Sequence, residues 1–245
     1  ISTAYVCGDR TERILESELE TGQASSNAYE KSKIEAELLV RNASLPNPPT
    51  ILRPSIVVGD FLDGFTSSFH GFYVPLKFIQ AFASSFAKTA LDPRDILNSF
   101  NLDGNSHKNF VSVDWVSAAI SRIMLDTSLH GKTYHLTSDK PTPLERVSTV
   151  FAEMLPGMIN NQPKALMPNE LETISLQSLA DKFLEAMEPY KSYWRDDPKF
   201  DKSNTDYAIP GFNAPVLDAP ALRRLTKFAL DHNFRPIDSM TRQPI

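Results

Sequence analysis

Positions 25–41 read Ser-Ser-Asn-Ala-Tyr-Glu-Lys-Ser-Lys-Ile-Glu-Ala-Glu-Leu-Leu-Val-Arg. Ile34, Leu38 and Val40, with small Ala36, fall among Glu30, Glu35, Glu37 and Arg41 in the pattern of a half-buried helix. Ser26 or Asn27 can cap its start by accepting a first-turn N–H. On such a helix Tyr29 and Lys33 share a face, with Cβ atoms about 5–6 Å apart. A phenol ordinarily titrates near a pH of about 10. An ammonium one turn along favours the phenolate and brings the group closer to acid–base work at neutral pH. Lysine also supplies donors that can hold a ribose hydroxyl. The pair suits proton transfer at a carbonyl or alcohol oxygen whose carbon exchanges hydride with a nicotinamide.

Spacing alone does not decide the matter, because Tyr73 and Lys77 have the same separation. They flank Val74, Pro75 and Leu76, and proline fits best at the first helical position. Tyr73 is therefore expected to precede its helix and not to stack over Lys77.

The surrounding sequence separates the two pairs. The chain opens Ile-Ser-Thr-Ala-Tyr-Val-Cys-Gly at positions 1–8, and positions 53–60 read Arg-Pro-Ser-Ile-Val-Val-Gly-Asp. A strand end with Ser-Thr, then Asn-x-Tyr-Glu-x-Ser-Lys, then a strand entering Arg-Pro-Ser resembles the extended short-chain dehydrogenase/reductase family. The variants present look most like its branch of fatty acyl-CoA reductases and carrier-bound thioester reductase domains. The resemblance implies that Tyr29 is the catalytic acid–base, with Lys33 its electrostatic and ribose-binding partner. It makes Thr3 the hydroxyl that meets the substrate oxygen, with Ser2 as the fallback, and lays Pro54, Ser55 and Ile56 along the nicotinamide of NADP or NAD.

Composition bounds the alternatives. With 245 residues, 41% hydrophobic and 22% charged, the chain can bury a sizeable core. A net charge of −5 lacks the basic footprint of nucleic-acid binding. Cys7 is the single cysteine, so no internal disulfide or cysteine-built zinc site is expected, and His135 has no spaced partners for a metal. A reducing, cytoplasmic setting fits, with no secretory leader and no apolar run near the ~18 residues of a membrane span.

The nine glycines sit at 8, 22, 59, 64, 71, 104, 131, 157 and 211, so no Gly-x-Gly-x-x-Gly loop is present. In the resembled family that pyrophosphate loop precedes the Ser-Thr motif, and the first residue here is Ile1 rather than methionine. Ile1 is thus expected to be internal to a longer protein, and association with a missing N-terminal half is expected. Parallel strands need both faces covered and neighbours on each side, and an open edge is an aggregation hazard.

Further along, residues 9–22 read as an acidic surface loop, and Pro46, Pro48 and Pro49 end the catalytic helix. Thr50–Val58 reads as one buried strand, and Pro75–Phe86 as an amphipathic helix. Between them, residues 59–73 carry five aromatics without regular period. These either wall an acyl-binding surface or pin the loop to the core. Asn109–Val116 resembles a short strand entering a helix capped by Asp114, and residues 132–137 a strand. Thr142-Pro143-Leu144-Glu145 has the form of a capping box starting a helix through Leu155. A last helix is expected after Asp218.

The expectation is an α/β protein with a partial Rossmann-type parallel sheet lacking its first strands. Residues 1–155 would form its catalytic half and 156–245 a smaller, mostly helical substrate region. The favoured activity is reduction of an acyl thioester, small or carrier-bound, to an aldehyde. An alcohol, sterol or sugar-nucleotide dehydrogenase, and a non-catalytic binding protein that keeps the fold, are the alternatives. Residues that choose between NAD and NADP would lie upstream.

Overall fold

A computed structural model describes residues 1–81, 105–160, 185 and 195–235. The amphipathic helices expected beyond residue 81 and over 174–187 lie largely outside the described residues. The chain forms two compact units, residues 1–57, 109–141 and 196–216 in one, and 58–108, 142–195 and 217–245 in the other.

In the first unit an extended N-terminal segment ends at Thr3 and turns through a 3-10 turn at Ala4–Cys7. It runs beside β1 (Ile51–Pro54), the Ser2 N–H donating to the Leu52 carbonyl at 2.8 Å. Strand β1 pairs in parallel with β5 (Thr133–Leu136), and both are buried throughout, as an α/β sheet with two covered faces requires. Alternation along the strands sorts their side chains. Leu52, Tyr134 and Leu136 enter an apolar core closed by Trp115, Val116, Ala119 and Ile123 of α3 (Val113–Leu125). The register partners Arg53 and His135 belong to the other set, on the side of α1 (Ala28–Arg41).

The single strand expected over Thr50–Val58 is two. At Ser55 the chain changes partner, so that β1 pairs with β5 while β2 (Ile56–Val58) pairs with β4 (Phe110–Ser112). The Ser55 N–H donates to the Leu136 carbonyl and the Ile56 N–H to the Asn109 carbonyl, each at 3.2 Å. Helix α3 follows β4 directly with Asp114 in its first turn and Ser112 at the cap, so Asp114 is not the cap the motif suggests.

Asn27, not Ser26, caps α1. Its Oδ1 accepts the Glu30 N–H at 2.9 Å, and the Glu30 carboxylate accepts the Ser26 N–H at 2.8 Å. Ile34 and Leu38 then pack on Val6 and Leu19. A buried ion pair ties this helix to the sheet: Arg53 donates to both Glu37 carboxylate oxygens, Nη2 at 2.6 Å and Nε at 3.0 Å. Arg41, one turn along, donates to the same carboxylate and to the Thr133 hydroxyl.

Residues 9–22 are not simply a surface loop. Ile14 bridges Phe200 in parallel, and Glu16 is 2% exposed. Its carboxylate accepts the N–H groups of His135, Asn204 and Thr205 and the Thr205 hydroxyl, joining β5 to α5 (Ser203–Ala208). Burial pushes the Glu16 carboxyl up, whereas Arg53 holds Glu37 below the usual carboxylate range despite burial. His135 lies between them, one ring nitrogen 2.8 Å from the Asp201 carbonyl and the other 3.3 Å from Arg53 Nη1.

In the second unit the Cβ of any other residue at Gly59 would sit 2.4 Å from the Gly64 carbonyl. Tyr73 is the first residue of α2 (Tyr73–Ala81) instead of preceding it. It is buried, its hydroxyl accepting the Gly59 N–H at 2.9 Å. The short strands β3 (His107–Lys108) and β6 (Thr142–Pro143) pair antiparallel, and α4 (Leu144–Asn160) starts just beyond the proline expected in its first turn. Phe72 packs on Phe151 of α4, Phe69 on Tyr73 and Phe234, and Phe65 on Phe228 of α6 (Ala219–Asp231). These contacts fit the core-pinning role for the loop aromatics. Helix α6 begins after Asp218 as expected, and Asp218 caps it, accepting the Ala221 N–H at 2.9 Å.

Burial and the neighbouring Arg53 hold the His135 imidazole down at about 4, below its ordinary 6.5. Between those values the folded state binds fewer protons than the unfolded one, so stability falls as pH drops through the window, by about 3 kcal/mol. Glu16, raised by burial, titrates in the opposite sense. Urea unfolding at pH 7 and pH 4.5 isolates the histidine: His135→Gln should lose markedly less stability between the two than the wild type.

Candidate active site

All of the predicted site residues lie in the first unit. Thr3 closes the N-terminal extended segment and Pro54 closes β1, so both stand at strand ends, where open α/β sheets take their ligands. The Thr3 hydroxyl accepts the Tyr5 N–H at 3.3 Å, reaches the Pro54 carbonyl weakly at 3.5 Å, and is the hydrogen-bond partner of the Tyr29 phenol. Gly8, which ends the opening motif, has φ 60°, and a Cβ there would lie 2.4 Å from the Ala24 carbonyl. Glycine thus lets the loop before α1 close over the 3-10 turn.

Tyr29 projects from the first turn of α1 and is 47% exposed. Lys33 follows one turn on, with its ammonium 5.9 Å from the centre of that ring. Thr3, Tyr29, Lys33 and Pro54 are therefore brought together. Ser2, the fallback hydroxyl, lies near the Glu37 carboxylate, its buried oxygen making no hydrogen bond. Ser55 is buried, its hydroxyl 2.9 Å from Asn109 Oδ1.

The electrostatics differ from expectation. Loss of water around the phenol raises Tyr29 above its ordinary value, the adjacent Glu30 carboxylate adds to the rise, and the Thr3 hydrogen bond opposes it. Lys33 meets the face of the ring, a cation–π arrangement, and its proximity does not bring the phenol below its ordinary range. At neutral pH Tyr29 is a proton donor.

The second Tyr-x-x-x-Lys pair forms no such site. Tyr73 is 1% exposed and spends its hydroxyl on Gly59, while Lys77 is exposed. Burial pushes the Tyr73 phenol far up. Two contributors were not legible beforehand: Glu16, placed in a surface loop, and Asn109, placed only as the start of a strand. Neither carries a local pattern, since their partners lie up to 189 residues away in sequence. Among the described residues no group of His, Cys, Asp or Glu could hold a metal ion, and no helix is long and apolar enough to cross a membrane.

Residues 1–120 match the model of the NAD-binding family described as male sterility protein. No curated protein matches the chain. Among solved structures, the terminal R domain of the myxalamid PKS-NRPS biosynthetic pathway superposes with a TM-score of 0.65 at 21% identity, covering 95% of this chain and 57% of its own. A thiolation-reductase di-domain of an archaeal non-ribosomal peptide synthetase gives 0.61 at 15%, covering 95% and 48%. UDP-glucuronic acid 4-epimerase from Bacillus cereus, in complex with NAD, gives 0.52 at 11%, covering 96% and 61%. The chain thus spans about half the length of the two reductase structures. The fold is of the Rossmann type, and the expected resemblance to extended short-chain reductases of the acyl-CoA and thioester reductase branch is borne out.

Removing the one hydrogen bond that pulls the phenol down should raise it. Difference absorbance titration, with Tyr29→Phe as the blank, should place the Tyr29 phenol of Thr3→Val higher than that of the wild type, which itself titrates above 10.

Proposed function

We propose that the chain is the catalytic part of a nicotinamide-dependent reductase acting on an acyl thioester, with a carrier-bound acyl group as the favoured substrate. The observation that carries this reading is the meeting of the Thr3 hydroxyl, the Tyr29 phenol and the Lys33 ammonium beside Pro54 at the strand ends. These groups fit the nicotinamide end of NADP or NAD: a buried proline at the strand end to line it, and an ammonium with three donors for ribose hydroxyls. When bound, that cofactor would supply hydride.

Thr3 and Tyr29 would hold the substrate oxygen between them and stabilise the charge that develops on it. Tyr29, protonated at neutral pH, would deliver its proton there to give a hemithioacetal, whose C–S bond would then break to release the aldehyde and the carrier thiol, and Lys33 would steady the phenolate left behind. The phenol is protonated at neutral pH, as delivery of a proton in the reduction direction requires, whereas alcohol oxidation would begin from the phenolate. The likeness to the R domain and to the thiolation-reductase di-domain is one of fold, as is that to the sugar-nucleotide epimerase, and the higher TM-scores of the first two favour a carrier-bound substrate. A sugar-nucleotide or alcohol dehydrogenase on the same scaffold, and a non-catalytic binding protein, are the competing outcomes.

Oxidation of NADPH or NADH with an acyl-CoA, a carrier-bound acyl group, simple aldehydes and a sugar nucleotide tests the reading. Turnover should be highest with the thioesters, and Tyr29→Phe should reduce it by about 100-fold or more. Equal rates in wild type and variant would rule out the assigned chemistry. Turnover of the sugar nucleotide alone would transfer the assignment to that class.

A further inference from the structure

The change of strand partner at Ser55 opens a fork between two strand pairs, and one side chain occupies it. Asn109 is 2% exposed and stands just before β4. Its N–H donates to Asp197 Oδ2 at 2.7 Å, and its carbonyl accepts the Ile56 N–H at 3.2 Å. Its side-chain oxygen accepts both the Ser55 hydroxyl at 2.9 Å and the Ser138 N–H at 2.8 Å, and its side-chain nitrogen donates to the Ser138 carbonyl at 2.9 Å. Asp197 is itself held by the Tyr5 hydroxyl at 2.7 Å, within the turn that begins after Thr3.

The orientation of this amide follows from its partners. Ser138 offers a backbone donor and a backbone acceptor side by side, which a carboxamide satisfies and a carboxylate of the same shape does not. Aspartate would turn an oxygen against the Ser138 carbonyl, and an apolar residue would strand several buried polar groups. The N–H groups of Ser55 and Ile56 are both committed, to Leu136 and to Asn109, so this wall has little freedom of its own. Its position is that of the hub that holds it.

We propose that Asn109 is a positioning residue for the nicotinamide wall, its amide and carbonyl holding Ser55 and Ile56 at the fork and thereby setting affinity for the nicotinamide ring. The inference rests on the nicotinamide reading above and adds a residue from outside the three motifs.

Fluorescence titration with NADPH and NADH, beside amide exchange of the cofactor-free protein, tests it on the full-length protein as wild type, Asn109→Asp and Ser55→Ala. Asn109→Asp should weaken dinucleotide binding by about tenfold and speed exchange at Ser55 and Ile56. Ser55→Ala, the milder change, removes one link and should weaken binding by about threefold while thermal unfolding stays near that of the wild type. A drop in unfolding midpoint with unchanged affinity and unchanged exchange at Ser55 and Ile56 would overturn the proposal by making Asn109 merely structural. Wild-type protein that binds neither dinucleotide overturns the nicotinamide reading and this inference together. Wild-type binding matched by both variants overturns this inference alone.

Discussion

The buried contact between Arg53 and Glu37 is the constraint on which the rest of the first unit depends. It joins strand β1 to helix α1, with both side chains withdrawn from water. Such a pair stabilises little compared with a well-packed apolar one, but leaving either partner alone would bury an uncompensated charge. What it supplies is registration. A helix packed only through Ile34 and Leu38 could slide or rotate on apolar neighbours with modest loss, whereas a two-point guanidinium contact tolerates neither movement. Tyr29 lies two turns before Glu37 on the same helix, and Pro54 directly follows Arg53, so the contact fixes both walls of the site relative to each other.

Around that pair the sheet face is polar where a parallel sheet is usually aliphatic. His135, Glu16, Thr205 and Asn204 satisfy one another through bonds that cross from strand to loop to helix. A fully satisfied polar interior is rigid and specific, at the cost of sensitivity to protonation. Burial and Arg53 hold the imidazole beside the Asp201 carbonyl neutral, so its protonation costs stability.

At the site the same physics yields a donor. Withdrawal of the phenol from water and the neighbouring Glu30 outweigh the Thr3 hydrogen bond, and the ammonium of Lys33 engages the ring face. The chemistry most compatible with a protonated phenol beside a second hydroxyl is delivery of a proton to an oxygen that gains negative charge.

The sequence by itself determined the parts that local rules govern: the capped amphipathic helix carrying Tyr29 and Lys33, the Ser-Thr strand end, the buried strand at Arg53, the Asp218 cap and the α/β class. Each depends on neighbours within a few residues, so spacing suffices to read it. Only the tertiary structure decided that Thr3 meets Tyr29 while Ser2 lies near Glu37, that Tyr73 is core, that the strand divides at Ser55, and that Glu16 and Asn109 are interior hubs. Those outcomes rest on partners dozens to nearly two hundred residues apart and on desolvation, a property of the folded surroundings that no local pattern encodes.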